Sequence, residues 1–114
     1  MSQRTDRVAD LLRSELAEII RHELGDPRIG LATVSAVTVS RDLAHAEVLV
    51  SVLGEDDARE ESVAVLVRAR GHVRRLLARR VRLRTVPELA FRLDRGAEHS
   101  LRISEILEDL HGGD

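Results

Sequence analysis

Between Thr33 and Val52 the chain carries two β-rich runs parted only by Arg41-Asp42-Leu43 and the two residues that follow. Strands so close in sequence pair as an antiparallel hairpin, because parallel pairing needs a long crossover. In the second run Ala46, Val48, Val50 and Val52 alternate with Glu47, Leu49 and Ser51, the period-two pattern of a strand with one buried face. The first run, Thr33 to Ser40, is rich in β-branched residues, but Val37 and Val39 share a parity that Val34 does not. A bulge, or burial on both faces, accounts for the mismatch.

Helical spacing flanks the hairpin. Val8, Leu11, Leu12, Leu16, Ile19, Ile20 and Leu24 mark one face of a helix over Arg4 to Leu24, with Thr5 or Asp6 as its cap and Gly25-Asp26-Pro27 as its stop. After the hairpin, Gly54-Glu55-Asp56-Asp57 reads as a helix entry, with acids where a helix N-terminus favours them. Val63, Leu66 and Val67 begin a helical face, and Val73, Leu76, Leu77 and Val81 continue one. Glycine inside a helix costs about 1 kcal/mol relative to alanine, so Ala69-Arg70-Gly71 predicts two helices with a kink or tight turn at Gly71. Leu89, Phe91 and Leu93 predict a third strand. Ser100 caps a last short helix bearing Ile103, Ile106, Leu107 and Leu110. The expected fold is α+β: a three-stranded mixed sheet with helices on one face, its strand order left open by these rules. Residues 1–110 make one domain and 111–114 a short polar tail.

Charge is segregated along this framework. The 18 basic residues, all arginine, nearly balance 20 acids. Eight of those arginines (Arg68, Arg70, Arg74, Arg75, Arg79, Arg80, Arg82, Arg84) lie between Ser62 and Pro87, where no acid occurs. A basic stretch on an otherwise acidic small protein is the electrostatic footprint of a polyanion site. An arginine run is ordinarily a solvated helix face. Here the missing acids, the acidic remainder and the kink favour RNA. Arg68, Arg75, Arg79 and Arg82 share one face if the helix persists across the turn, while Arg74 and Arg80 read equally as ordinary surface residues and Arg84 as part of a following loop. Gly71 serves as a helix C-cap or as a point of close RNA approach. Arg28 closes a turn on Asp26 in the simplest reading, and the acids of the first helix pair Arg4, Arg7 and Arg21. Phe91 is the lone aromatic, which argues against modules that stack bases on aromatic rings.

Catalysis finds little support. There is no cysteine, and His22, His45, His72, His99 and His111 are too dispersed to form a helical metal pair. Asp56, Asp57, Glu60 and Glu61 read as a solvated helix entry, not an acid pair, for no apolar pocket is evident to split their pKa values. No phosphate-binding glycine loop or nucleophile elbow occurs. No catalytic residue, metal or cofactor is therefore expected. The chain shows neither a signal peptide nor a membrane-spanning run, which predicts a cytoplasmic protein without a membrane partner.

A helix, a sharp glycine-containing turn and a second helix with basic flanks can grip a phosphate backbone, as the GXXG loop of KH domains does. The order helix, strand, strand, helix, kink, helix, strand matches the type II KH arrangement, with Ala69-Arg70-Gly71 where GXXG would stand. Over nearly its whole length the chain resembles the ribosome-binding factor A family. The resemblance is carried by Arg7-Val8, Glu15-Leu16-Ala17 with Ile19-Ile20, Asp26-Pro27-Arg28 with Gly30, Thr33-Val34, Val37, Val39-Ser40 and Asp42-Leu43. It continues through Ala46, Val48, Val50-Ser51, Ala69-Arg70-Gly71, Arg82-Leu83-Arg84, Pro87-Glu88-Leu89, Phe91 and Asp94. It implies a KH-like domain in which an Ala-x-Gly kink replaces GXXG. It further implies a monomeric, non-enzymatic assembly factor that binds the free small (30S) ribosomal subunit, alongside other small-subunit assembly factors. The factor would assist 16S rRNA maturation and processing, the 5′ region included, especially in the cold. The alternative is a protein interaction module whose basic helix docks an acidic partner.

Overall fold

The computed structural model describes residues 3–29 and 31–96. In chain order these form α1 (Gln3–His22), a 3-10 helix (Pro27–Ile29), β1 (Ala32–Val39), β2 (His45–Val52), α2 (Asp56–Arg68), α3 (Arg70–Arg80) and β3 (Glu88–Leu93). The last helix anticipated from Ser100 and the polar tail lie outside the described residues.

α1 buries Leu12, Leu16 and Ile19 completely, the stripe that its spacing requires. It begins at Gln3, so Thr5 and Asp6 sit inside the first turn instead of capping it. Asp6 still places a negative charge at the positive end of the helix. Gly25 ends the segment with φ +60°, the left-handed position for which a glycine lacks the usual steric penalty. Asp26 then accepts hydrogen bonds from the Arg28 amide at 2.9 Å and from its guanidinium at 2.8 and 3.1 Å, which closes the turn as expected.

A β-bulge resolves the mixed parity of β1. Val34 pairs with Val50, but the next pair is Ala36 with Leu49, leaving Ser35 as the extra residue. Val34 before the bulge and Val37 and Val39 after it therefore pack against the same core. β1 ends one residue earlier than its composition suggests, because the Ser40 hydroxyl is used in the loop. It donates to Asp42 Oδ1 at 2.7 Å and accepts from the His45 amide at 3.0 Å. Asp42 Oδ1 also accepts from the Ala44 amide at 3.0 Å. Leu43 occupies the left-handed region at φ 61°, a conformation that costs a residue with a Cβ about 1 kcal/mol, and its half-buried side chain packs against the core.

β2 is the central strand, antiparallel to β1 and parallel to β3, with α2 and α3 as the crossover. Ala46, Val48, Val50, Val52, Leu89 and Phe91 are buried on one face of the sheet, in one cluster with Leu66 of α2 and Val73 and Leu77 of α3. The other face carries exposed Glu47, Glu88 and Arg92, with Arg92 Nε 3.2 Å from Glu47. Ser62 is the one buried polar residue among those described, and its hydroxyl lies 2.9 Å from the Arg28 carbonyl, fastening α2 to the 3-10 helix. Among the described residues no helix is long and apolar enough to cross a membrane.

Candidate nucleic-acid interface

The two crossover helices meet at Ala69. Its φ of −88° and ψ of 3° depart from helical values, yet its amide donates to the Val65 carbonyl at 3.0 Å and its own carbonyl accepts from the Val73 amide at 2.9 Å. One residue thus closes the last turn of α2 and opens the first turn of α3. The joint is a change of direction without an intervening loop. It falls two residues before the position that glycine content predicts.

Gly71 lies in the first turn of α3 and is exposed. It has no left-handed φ, so it is not a C-cap, and a Cβ built there would meet only Arg75 Nη1, at an ordinary 3.6 Å. The break also separates Arg68 from Arg75 and Arg79, and Val81 is extended at φ −120° and ψ 151°, which places Arg82 beyond α3. These four arginines do not share a continuous helical face. Arg75 and Arg79, one turn apart on α3, do.

Partners divide the eight arginines into two groups. Arg74 is half-buried and donates from Nε at 3.1 Å and Nη2 at 2.6 Å to the Val86 carbonyl, holding the segment that leads into β3. Arg80 donates to Glu15 at 2.6 Å and Glu23 at 3.1 Å, which bolts the end of α3 to α1. The Glu15 hydrogen bond raises the pKa of Arg80 above its ordinary value. Neither residue is the unattached surface arginine that spacing alone suggests. Arg70 Nη1 donates to the Val67 carbonyl at 2.7 Å, satisfying the last turn of α2. Arg68, Arg75, Arg79, Arg82 and Arg84 are exposed, and among the described residues none makes a hydrogen bond or ion pair. Arg68 lies close enough to Asp26 to help lower its pKa, behind the larger effect of Arg28.

The surface is grooved where these groups converge. One groove of 410 Å³ is lined by Gly71, Arg74, Arg75, Ala78, Leu83 and Arg84, among others. A second, of 260 Å³, is lined by Arg70, Gly71, Arg74, Glu88 and Leu89. Gly71 and Arg74 belong to both, and the missing side chain at Gly71 lowers the wall between them. Phosphate oxygens laid here would meet guanidinium groups and the first turn of α3, where no side chain caps the helix N-terminus. Among the described residues no group of three or more His, Cys, Asp or Glu could hold a metal ion.

Sequence spacing names Arg70, Gly71, Arg74, Arg75 and Arg84, which line the grooves at the kink, together with Arg68, Arg79, Arg80 and Arg82, which line neither. It misses the tethering of Arg74 and Arg80. For Arg80 a signal was present: Glu15 and Glu23 stand two turns apart on α1 and so face the same neighbour. For Arg74 the partner is a backbone carbonyl, which leaves no mark in the sequence.

Fold and site together define a KH-like α+β domain whose helix pair breaks at Ala-x-Gly and carries arginines on its outer side. The ribosome-binding factor A family model matches residues 4–107. The chain is 42% identical over 111 residues to ribosome-binding factor A of Desulforamulus reducens, covering 97% of this chain and 92% of that protein. It is 50% identical over 107 residues to the Alkalilimnicola ehrlichii protein of that name, with coverage of 93% and 82%. The crystal structure of ribosome-binding factor A from Thermus thermophilus superposes with a TM-score of 0.73 at 37% identity, over 81% of this chain and 97% of that one. A homology model of the Thermus thermophilus factor, fitted into the cryo-EM map of a 30S complex, gives a TM-score of 0.65 at 40% identity, over 75% and 90% of the two chains. The chain belongs to the ribosome-binding factor A family.

Proposed function

We propose that this protein is a cytoplasmic, monomeric assembly factor that binds the free small ribosomal subunit. In this reading it assists maturation of 16S rRNA, including its 5′ region, especially in the cold, and catalyses no reaction itself. The observation that carries the reading is the set of exposed arginines, Arg68, Arg75, Arg79, Arg82 and Arg84, which make no hydrogen bond or ion pair among the described residues, with Arg75 and Arg84 lining a groove at Gly71. Family membership supports it, as does the Thermus factor's placement in a 30S complex. Arg68, Ala69, Arg70 and Gly71 form the joint that meets the RNA backbone. Arg74 and Arg80 hold α3 in place while their neighbours release counterions from phosphates.

If about four or five arginines reach phosphates of single-stranded RNA, log K falls against log salt with a slope of roughly −3. Reversing Arg75 and Arg79 to Glu flattens that slope by about 1.4, roughly half, and weakens the association with small subunits. A slope near zero, or unchanged binding by the reversed variant, sinks the reading. Capture of an acidic protein that survives nuclease treatment, without RNA binding, assigns the basic helix to a protein partner instead.

A further inference from the structure

A third groove, of 340 Å³, continues the one beside Arg75, since Leu83 and Arg84 line both. It runs from the segment between α3 and β3 to the hairpin loop and the start of α1. Its lining is mainly apolar, with half-buried Val8 from α1, Leu43 from the loop and Leu83 contributing to it. Arg4, Arg84 and Thr85 also line it. Arg84 and Thr85 are exposed and make no hydrogen bond or ion pair among the described residues. Asp42 is the one acid in this lining, and its carboxylate is turned into its own loop, accepting from the Ser40 hydroxyl and the Ala44 amide.

An apolar notch that shares Leu83 and Arg84 with a groove lined by guanidinium groups suits a nucleotide. The faces of a nucleobase are poorly hydrated and gain from burial against aliphatic side chains without any aromatic ring, while the phosphates on either side remain with arginines. Leu43 sharpens the point. A glycine or asparagine would take its left-handed backbone more cheaply, and what leucine adds there is an apolar side chain at this groove. We propose that the notch between Val8, Leu43 and Leu83 holds one nucleobase of the single-stranded RNA whose backbone crosses the kinked helix pair, with Arg84 on an adjoining phosphate. The proposal rests on the RNA-binding reading above and extends it from the kink to the hairpin loop.

Amide NMR spectra recorded while oligouridylate is added separate the two. The proposal expects signals of Leu43, Ala44 and Thr85 to move together with those of Gly71 and Arg75. In the same titrations Thr85→Glu, at a residue that lines the notch and not the kink grooves, weakens a long oligouridylate several-fold but leaves one just long enough to cover the kink unchanged, whereas Arg75→Glu weakens both. Movement confined to Gly71 and Arg75, with Thr85→Glu silent at every length, overturns the notch and leaves the kink site standing. No movement anywhere overturns both. If oligoglutamate moves the hairpin-loop signals and oligouridylate does not, the notch is a protein-binding site and the nucleobase assignment is wrong. Thr85 is exposed and makes no hydrogen bond or ion pair among the described residues, so its substitution leaves the fold intact as the control requires.

Discussion

Ser35 donates its hydroxyl hydrogen to the Asp94 carboxylate at 2.6 Å, so the bulged residue of one edge strand is tied to the residue that follows the other. The bond passes over the central strand, whose Leu49 carbonyl lies 3.2 Å from the same hydroxyl. Asp94 is further held by the Gly96 amide at 2.8 Å, and its own amide donates to the Val50 carbonyl at 2.7 Å. The Ser35 hydrogen bond, followed by that from Gly96, keeps its pKa below the ordinary carboxylate value.

A depressed carboxylate pKa stabilises the fold above the unfolded-state value of about 3.9, and that contribution is lost as pH falls through the lower, folded value. Ser35→Ala is expected to cost about 1 kcal/mol at neutral pH, the scale of one hydrogen bond at an exposed site. Urea unfolding of both proteins as a function of pH checks this. The difference between them shrinks in acid once Asp94 is protonated in the folded state.

Gly71→Ala divides stability from binding. Alanine is the better helix former by up to about 1 kcal/mol, and its methyl would meet nothing nearer than Arg75 Nη1 at 3.6 Å. The urea midpoint therefore holds or rises. RNA affinity drops several-fold, because the methyl raises the wall between the two grooves that Gly71 lines. Calorimetric titration with oligouridylate provides the second number, and equal affinity would show that close approach at Gly71 is not used.

Arg74 and Arg75 are adjacent in sequence and opposite in consequence. Arg74→Ala leaves the Val86 carbonyl without two charged donors, a loss of about 1 to 3 kcal/mol. Arg75→Ala removes no internal bond among the described residues and leaves thermal unfolding unchanged. The salt slope of RNA binding becomes shallower by about 0.7 for each phosphate no longer neutralised. Thermal melts and salt titrations of the two variants should give mirror-image results.

Arg80→Ala lowers the melting temperature by freeing α3 from Glu15 and Glu23, while the salt slope of RNA binding stays as in the parent. A double-mutant cycle with Glu15→Gln isolates the pair from the rest of the α1 surface. A slope that flattens in Arg80→Ala would mean the residue leaves its glutamates to meet phosphate.

The element order was legible because each segment declares its period. Leu12, Leu16 and Ile19 repeat as a helix must, and Ala46, Val48, Val50 and Val52 repeat as a strand must. Even the bulge was visible in the parity change between Val34 and Val37, although parity alone did not separate a bulge from two-sided burial. Strand order was not legible, since a hairpin and a crossover are both satisfied by β3 on either side of the pair. The position of the kink was misread for a physical reason. Glycine is the weakest helix former in Ala69-Arg70-Gly71, but a glycine in a first turn leaves the helix beyond it intact, and the turn of the backbone falls on Ala69. Charge clustering located the basic surface. It did not distinguish arginines that hold the fold from those that face outward, because Val86 offers only its backbone and Glu15 is 65 residues from Arg80.

The parallel pairing of β2 with β3 has a consequence for how the protein is made. β2 and β1 can meet early, since five residues separate them, whereas β3 reaches β2 only after the chain has returned through α2 and α3. Until Phe91 and Leu93 have been synthesised, Val48 and Val50 have no strand neighbour on one side, and β2 is an open edge. Such long-range pairing is slow compared with local pairing. Closing the sheet is therefore a late event on the nascent chain, and Arg74, bonded to the Val86 carbonyl, links α3 to the segment that delivers the last strand.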